Sequence, residues 1–319
     1  MRPALPLALL CASALALTGC SDSEASGTTS AAATDAVSVV VGVYPYAYLA
    51  ERVGGDGVEV TNLASPGTEP HDLELTPRQV GTIGAADLVV HSPGFQPAVD
   101  EAVEQQAADR ALDVLDAVEL REAPEGEHGD EHEGEHEGDE HEGDGHAHEG
   151  ADPHVWLDPV RLGQIAGALA DRLAEVDAAG ADGYRERAAQ LQDELGRLDD
   201  ELRAGLSSCE RTQIVTSHDA FGYLADTYGL EQVAIAGLSP EDEASAGRLA
   251  ELAAQAERDG VTTIFFEDLA SPKVAESLAR EVGAEATVLS PLEGAPETGD
   301  YVTAMQANLA TLRTALDCA

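Results

Sequence analysis

Lysine is almost missing from this 319-residue chain: it occurs once, at Lys273, and Lys and Arg together number 17 against 61 Asp and Glu. The net charge is −44. Such a surface repels nucleic-acid phosphates and anionic membrane faces, and it attracts cations. Cysteine is scarce as well: there are four, and no two form a CxxC thiol metal motif. There is no P-loop, so the chain cannot drive ATP hydrolysis by that route. Past the first twenty residues, no apolar run is long enough to span a bilayer.

The N-terminus has the pattern of a targeting segment. Arg2 is followed by an apolar run from Leu5 to Leu17, and the run ends in "LTGC", Leu17 to Cys20. Small residues before a cysteine predict a lipoprotein cleavage site, with residues 1–20 as signal peptide and lipid on Cys20; an ordinary signal peptide is the alternative. The small, polar stretch at 21–36 predicts a flexible tether. With the signal removed and Cys20 lipidated, Cys209 and Cys318 remain. Export to an oxidising compartment predicts a disulfide between them, pinning the C-terminus to the start of the second half.

Strand-like and helix-like runs then alternate. "VSVVVGV", "VEVTNLA" and "DLVVHS" are β-branched or apolar strand patterns, and "RALDVLDAV" contains a possible fourth. Helical patterns lie between them, one opened by Thr76 and Pro77. The second half repeats the pattern with "TQIVTS", "LEQVAIAGL", "VTTIFFE" and "EATVLSP". One of its helices is expected to open at Ser239 and Pro240. Alternation of this kind predicts α/β architecture with mainly parallel sheets flanked by helices. Between the halves, a long region of 3.6-residue apolar period breaks near Ala178 to Gly183. It predicts a stiff helix joining two lobes, with 37–176 as the N-terminal lobe, 177–206 as the link and 207–319 as the C-terminal lobe.

One segment interrupts this order. Residues 127–150, "EHGDEHEGEHEGDEHEGDGHAHEG", carry His128, His132, His136, His141, His146 and His148 among carboxylates and glycines. The segment has too few apolar residues to fold alone and is expected to be a mobile surface loop. Flexible His/Glu tracts bind metal, but fixing each residue costs about 1–2 kcal/mol. Weak, multiple metal sites are therefore expected there, collecting ions for a tighter site elsewhere.

That tighter site is sought among the four other histidines. His71 in "PGTEPHDLEL", His154 in "DPHVWLDP" and His218 in "VTSHDAFGY" lie in loops beside helix or strand ends. In open parallel sheets, ligands bind beyond the carboxyl ends of strands. Three imidazoles converging there suit zinc and related transition metals. Glu69 sits two residues before His71, and Asp219 follows His218 as either an orienting carboxylate or a helix cap. Asp158 is expected to cap a helix, and His91 to line a pocket or the surface rather than ligate.

At "PGTEPHDLELTP", "DPHVWLDP", "TSHDAFGYLADTYGL" and "TIFFEDLASPKVAESLA" the chain resembles the metal-binding solute receptors of bacterial ABC importers, and within them the zinc-specific, ZnuA-like subgroup. The resemblance runs from about Val37 to the final helix. It implies two α/β lobes bridged by a rigid helix, with metal in the cleft between them and His71, His154 and His218 as ligands. Manganese-type relatives complete the site with an aspartate at a position that holds Ser271 here, and Asp268 lies three residues away. The fourth ligand is thus Glu69, a water or Asp268. The resemblance also implies a cognate permease and its ATPase as partners, a monomer at the outer face of the cytoplasmic membrane or in the periplasm, and Zn²⁺ as the transported ion. A manganese or iron receptor of the same family is the alternative. Two rivals of other classes remain: a zinc hydrolase with Glu69 as base, although outside 127–150 no HExxH occurs, and an adhesin or zinc buffer that uses the histidine-rich segment alone.

Overall fold

The computed structural model describes residues 36–121, 151–240 and 244–319. The first lobe opens with β1 (Val37–Val41), α1 (Tyr44–Gly54), β2 (Val58–Asn62), α2 (Pro77–Ala85), β3 (Leu88–His91), α3 (Pro97–Gln106) and β4 (Ala111–Asp113). Its four strands are parallel in the order β2-β1-β3-β4, with Val39 opposite Val60 and Leu88. Pleating sends alternate β1 side chains to opposite faces. Val39 and Val41 enter the main core with α1, whereas Val40 packs with Val89, Ile83, Val99 and Val103 under α2 and α3. Both faces are therefore covered, which is why the central strands read as unbroken apolar runs. Thr76 closes a capping box with Gln79 ahead of α2, and Pro77 occupies its first turn.

Two helices come next, α4 (Pro159–Val176) and α5 (Ala181–Leu206). The break between them is made at Asp177, whose carboxylate accepts the Ala179 N–H at 3.1 Å and the Tyr184 hydroxyl at 2.8 Å. A side chain that satisfies the backbone locally competes with the helix and ends it. The chain then reverses, and Gln192 on α5 donates to the Gly163 carbonyl on α4 at 2.8 Å. At 26 residues α5 is about 39 Å long. Near its start, Arg187 donates to the carbonyls of Val53 and Gly54 in the first lobe. Further along, Asp199 accepts from Tyr228 and Glu201 from Gln306, both in the second lobe. The expected linking stretch 177–206 thus comprises a turn followed by α5.

The second lobe holds β5 (Gln213–Thr216), α6 (Gly222–Tyr228), β6 (Glu231–Ala234), α7 (Ala246–Asp259), β7 (Thr263–Phe266), α8 (Lys273–Val282), β8 (Glu285–Val288) and α9 (Tyr301–Ala315). Its sheet, β6-β5-β7-β8, is again all parallel. Val215 and Ile264 face α7 and α8, while Ile214 and Phe265 join the main core with α5 and α9. One buried cluster therefore includes residues of both sheets.

One helix start differs from expectation. Helix α7 begins after Ser245, whose hydroxyl accepts the Arg248 N–H at 3.1 Å, and not at Ser239 and Pro240. Its apolar face, Leu252, Ala253 and Ala256, exists only past that cap, so burial stabilises helix only from there. A disulfide joins Cys209 to Cys318 across 109 residues. It ties the end of the chain to the segment just past α5. Among the described residues, no helix is long and apolar enough to cross a membrane.

Candidate metal centre

Each sheet presents its strand carboxyl ends to the same place. His71 comes from the irregular segment between β2 and α2. That segment is fixed by the buried amide of Gln96, which donates to the carbonyls of Pro70 at 2.9 Å and Gly42 at 3.1 Å. A Cβ on Gly42 would fall 2.0 Å from the Gln96 amide oxygen, so only glycine permits this clamp. The His71 ring rests on Phe95, with centroids 4.3 Å apart.

His154 follows β4 in sequence and opens a short 3₁₀ turn, Val155–Leu157, ahead of α4. Asp152 Oδ1 accepts the His154 N–H at 3.0 Å and lies 2.8 Å from Nδ1. That contact places the ring proton on Nδ1 and leaves the Nε2 lone pair free. Asp158 caps α4 by accepting from Val160 and Arg161, as its position before Pro159 predicts.

His218 follows β5, and its carbonyl accepts from Thr216 and Gln232. Its Nδ1 stands 2.6 Å from Glu267 Oε1, at the end of β7. The pair is in close charge contact without hydrogen-bond alignment.

Glu293 lies five residues past β8. Asn308 on α9 holds the Ser290 backbone at both N–H and carbonyl, and Trp156 Nε1 donates to the Pro291 carbonyl at 2.7 Å. Leu292 takes φ +60°, a left-handed conformation that costs a branched side chain energy. The stretch is held there by partners on both sides, and the result aims Glu293 inward.

The ligand atoms of His71, His154, His218 and Glu293 all lie within 4.8 Å of one another. Glu293 Oε1 is 3.4 Å from His71 Nε2, 3.4 Å from His218 Nε2 and 3.7 Å from His154 Nε2. The Nε2 atoms of His71 and His154 are 3.4 Å apart. A tetrahedral zinc with bonds of about 2.0–2.1 Å separates its donors by about 3.3–3.4 Å. Four of the six edges between these donors, at 3.4–3.7 Å, are thus at or slightly above that spacing, and the other two are within 4.8 Å. His218 Nε2 and Glu293 Oε2 are buried with no hydrogen-bond partner, a costly arrangement that a cation would relieve.

The electrostatics agree. Burial would raise the Glu293 carboxyl, but His218 and His71 hold it well below the usual carboxylate range. Burial lowers His154 despite Asp152, keeping that ring neutral. Burial also works to lower His218, but Glu267 and Glu293 outweigh it and push the imidazole up to about 10.

The fourth position differs from what the sequence suggested. Glu69 Oε1 turns back to accept the His71 N–H at 3.0 Å, and Glu69 lies outside the group of four. Its carboxyl is pushed up to about 7, first by burial and then by the Glu293 charge. Asp268 is exposed and accepts from Ser290 at 3.1 Å, and Ser271 is exposed too. The carboxylate that lies within reach of the three imidazoles is that of Glu293, not of Glu69 or Asp268. Asp219 does not cap α6, and the carboxylate in contact with His218 Nδ1 is that of Glu267. His91 stands apart, with Nδ1 3.2 Å from Asp100. Cys20 and the histidines His128, His132, His136, His141, His146 and His148 lie outside the described residues. Sequence reasoning missed Glu293, Asp152 and Glu267. Asp152 was within the quoted "DPHVWLDP", and the other two obey the strand-end rule used for the histidines.

A family model described as zinc-uptake complex component A, periplasmic, matches residues 39–315. The chain belongs to this family. The zinc-uptake ZnuA protein of Bacillus subtilis (strain 168), named a high-affinity system protein, is 35% identical over 315 residues, covering 97% of both chains. The zinc-binding lipoprotein AdcA of Streptococcus pneumoniae serotype 4 is 34% identical over 319 residues, which are 98% of this chain and 60% of AdcA. Against the AdcA proteins of Streptococcus pyogenes the coverage is 56% of their length, so the chain spans little more than half of these relatives. Among solved structures, the laminin-binding protein Lmb of Streptococcus agalactiae, described as a bifunctional protein with adhesin and metal transporting activity, matches with TM-score 0.75 and 30% identity. That match covers 88% of this chain and 99% of Lmb. The two parallel sheets flanked by helices are thus the architecture of the zinc-uptake component A family, as the histidine motifs implied.

Proposed function

We propose that this protein captures Zn²⁺ outside the cytoplasm with His71, His154, His218 and Glu293 and hands it to an ABC-type permease driven by an ATPase. The observation that carries this reading is the buried N₃O group, with Glu293 Oε1 3.4–3.7 Å from three imidazole Nε2 atoms and His218 Nε2 left without a hydrogen-bond partner. Three imidazoles favour zinc over manganese, which prefers more oxygen and binds nitrogen sites more weakly. Four protein donors close the tetrahedron, which suits holding an ion; hydrolysis needs an open position for water. Donors drawn from both lobes suit capture and release by lobe movement. Membership in the zinc-uptake family and the names of the relatives point the same way. The N-terminal "LTGC" and the lipoprotein name of one AdcA relative support a lipid anchor on Cys20.

In this reading the segment 127–150 collects zinc weakly and in several places. Zinc titration against a competing chelator, on the full chain and on a chain lacking 127–150, tests both parts. The expected result is one tight ion in each protein, with the weak sites lost on deletion. A deletion chain that holds no tight zinc would overturn the assignment to the four buried donors. The hydrolase rival, which uses Glu69 as base, is tested separately by assaying the zinc-loaded protein on peptide, ester and phosphoester substrates, where no turnover is expected.

A further inference from the structure

Asp152 orients His154 with one carboxylate oxygen, and its other oxygen is held by Arg121. Arg121 Nη1 lies 3.3 Å from Asp152 Oδ2, and its Nε donates to Asp226 Oδ2 on α6 at 2.9 Å. The Asp152 side chain is fully buried, so the guanidinium is the cation that balances it. The backbone reinforces the contact. The Arg121 N–H donates to the Tyr223 hydroxyl at 3.0 Å, that hydroxyl donates to the Asp152 carbonyl at 3.0 Å, and the Asp152 N–H reaches the Arg121 carbonyl at 3.4 Å. A slot on the second lobe makes room for this. A Cβ on Gly222, the first residue of α6, would fall 2.1 Å from Arg121 Nη1 and 2.5 Å from its Cζ. Gly222 has an ordinary backbone conformation, so the space for the guanidinium is what its missing side chain supplies.

We infer that Arg121, seated in the Gly222 slot and shared between Asp152 and Asp226, is a positioning residue of the zinc site: it fixes the rotamer of Asp152 and through it the tautomer of His154. This rests on the reading of the site as a zinc centre. Arg121 reaches its two carboxylates from two different nitrogens of the planar guanidinium, a spacing and planarity that the compact ammonium of lysine does not reproduce.

The test uses the full-length protein and four variants: Arg121→Gln, Arg121→Lys, Gly222→Ala, and Arg172→Gln as a matched loss of a surface arginine. Two quantities are measured, zinc Kd by chelator competition and the His154 tautomer in the metal-free protein by ¹⁵N NMR. Arg121→Gln and Gly222→Ala are expected to raise Kd about tenfold, in the range typical of outer-shell partners, and to reduce the Nδ1–H form of His154. Arg121→Lys is expected to fall between wild type and Arg121→Gln, and Arg172→Gln to match wild type. Wild-type Kd and tautomer in both Arg121→Gln and Gly222→Ala would overturn the assignment. So would weakened binding with an unchanged tautomer, because general loosening does that. The tautomer needs no metal, so a wild-type protein that fails to bind zinc would sink the functional reading, while the link from Arg121 through Asp152 to the His154 tautomer would still be read on its own.

Discussion

His71 and the other three donors of the site are held in different ways. His218 follows a central strand, and its carbonyl accepts two hydrogen bonds; His154 has an Asp152 contact at both ring and backbone; Glu293 sits on a stretch tied to α9 and Trp156. His71 comes from an irregular segment that follows the edge strand β2, and the polar contacts of its ring are with other members of the group. The contrast lies in the ring: the His71 backbone is clamped through Pro70 and Glu69, but its imidazole makes its polar contacts inside the group alone. His71 should be the donor that arrives last and leaves first.

Substitutions should therefore grade by frame. His218→Ala and Glu293→Ala are expected to lower zinc affinity roughly 100-fold or more, beyond the 10–100-fold range of outer-shell losses, as read by chelator-competition calorimetry. His71→Ala should cost less than either while speeding zinc release most in stopped-flow chelation. Equal losses in Kd and koff for His71→Ala and His218→Ala would break the comparison. Glu267→Gln comes next, at about tenfold, because it loosens the His218 ring but removes no donor. Trp156→Phe is expected to have the smallest effect on affinity. Its cost should appear as stability, about 1–3 kcal/mol in urea unfolding, since the buried Pro291 carbonyl loses its donor.

A pH series sharpens the same contrast. The folded His218 pKa, about 10, lies above its ordinary value near 6.5. A raised pKa stabilises the folded metal-free protein fully below about pH 6.5, and that stability is lost as pH rises towards 10. The metal-free protein should thus lose thermal stability between pH 7 and 10. The zinc-loaded protein should resist that loss, because the metal replaces the proton. Zinc capture at pH 7 should release about one proton from His218, visible as a calorimetric enthalpy that depends on the buffer. Affinity should fall as the pH drops, because the imidazoles must be neutral to bind.

Much of the fold was legible because its signals are local. β-Branched runs marked β1, β5 and β7, and Thr76 and Asp158 announced their helices through capping chemistry that depends only on near neighbours. The start of α7 was not, because two serines precede the helix and only packing decides which one caps it. At the site, rarity made the histidines readable: four lie outside 127–150, and three of them meet. Glu293 is one of 61 acidic residues and carries no such mark. What singles it out is the turn at Leu292 and two long-range contacts that hold it, Asn308 to Ser290 across 18 residues and Trp156 to Pro291 across 135. His91 shows the converse. It ends a strand as His218 precedes its helix, yet the β3 register places it beside Asp100, away from the group.

The most direct measurement is a crystal structure of the zinc-loaded protein with anomalous scattering recorded at the zinc edge. The account predicts one strong peak about 2.0–2.1 Å from the Nε2 atoms of His71, His154 and His218 and from a Glu293 carboxylate oxygen. A peak ligated by Glu69 in place of Glu293, or zinc found only at residues 127–150, would contradict it.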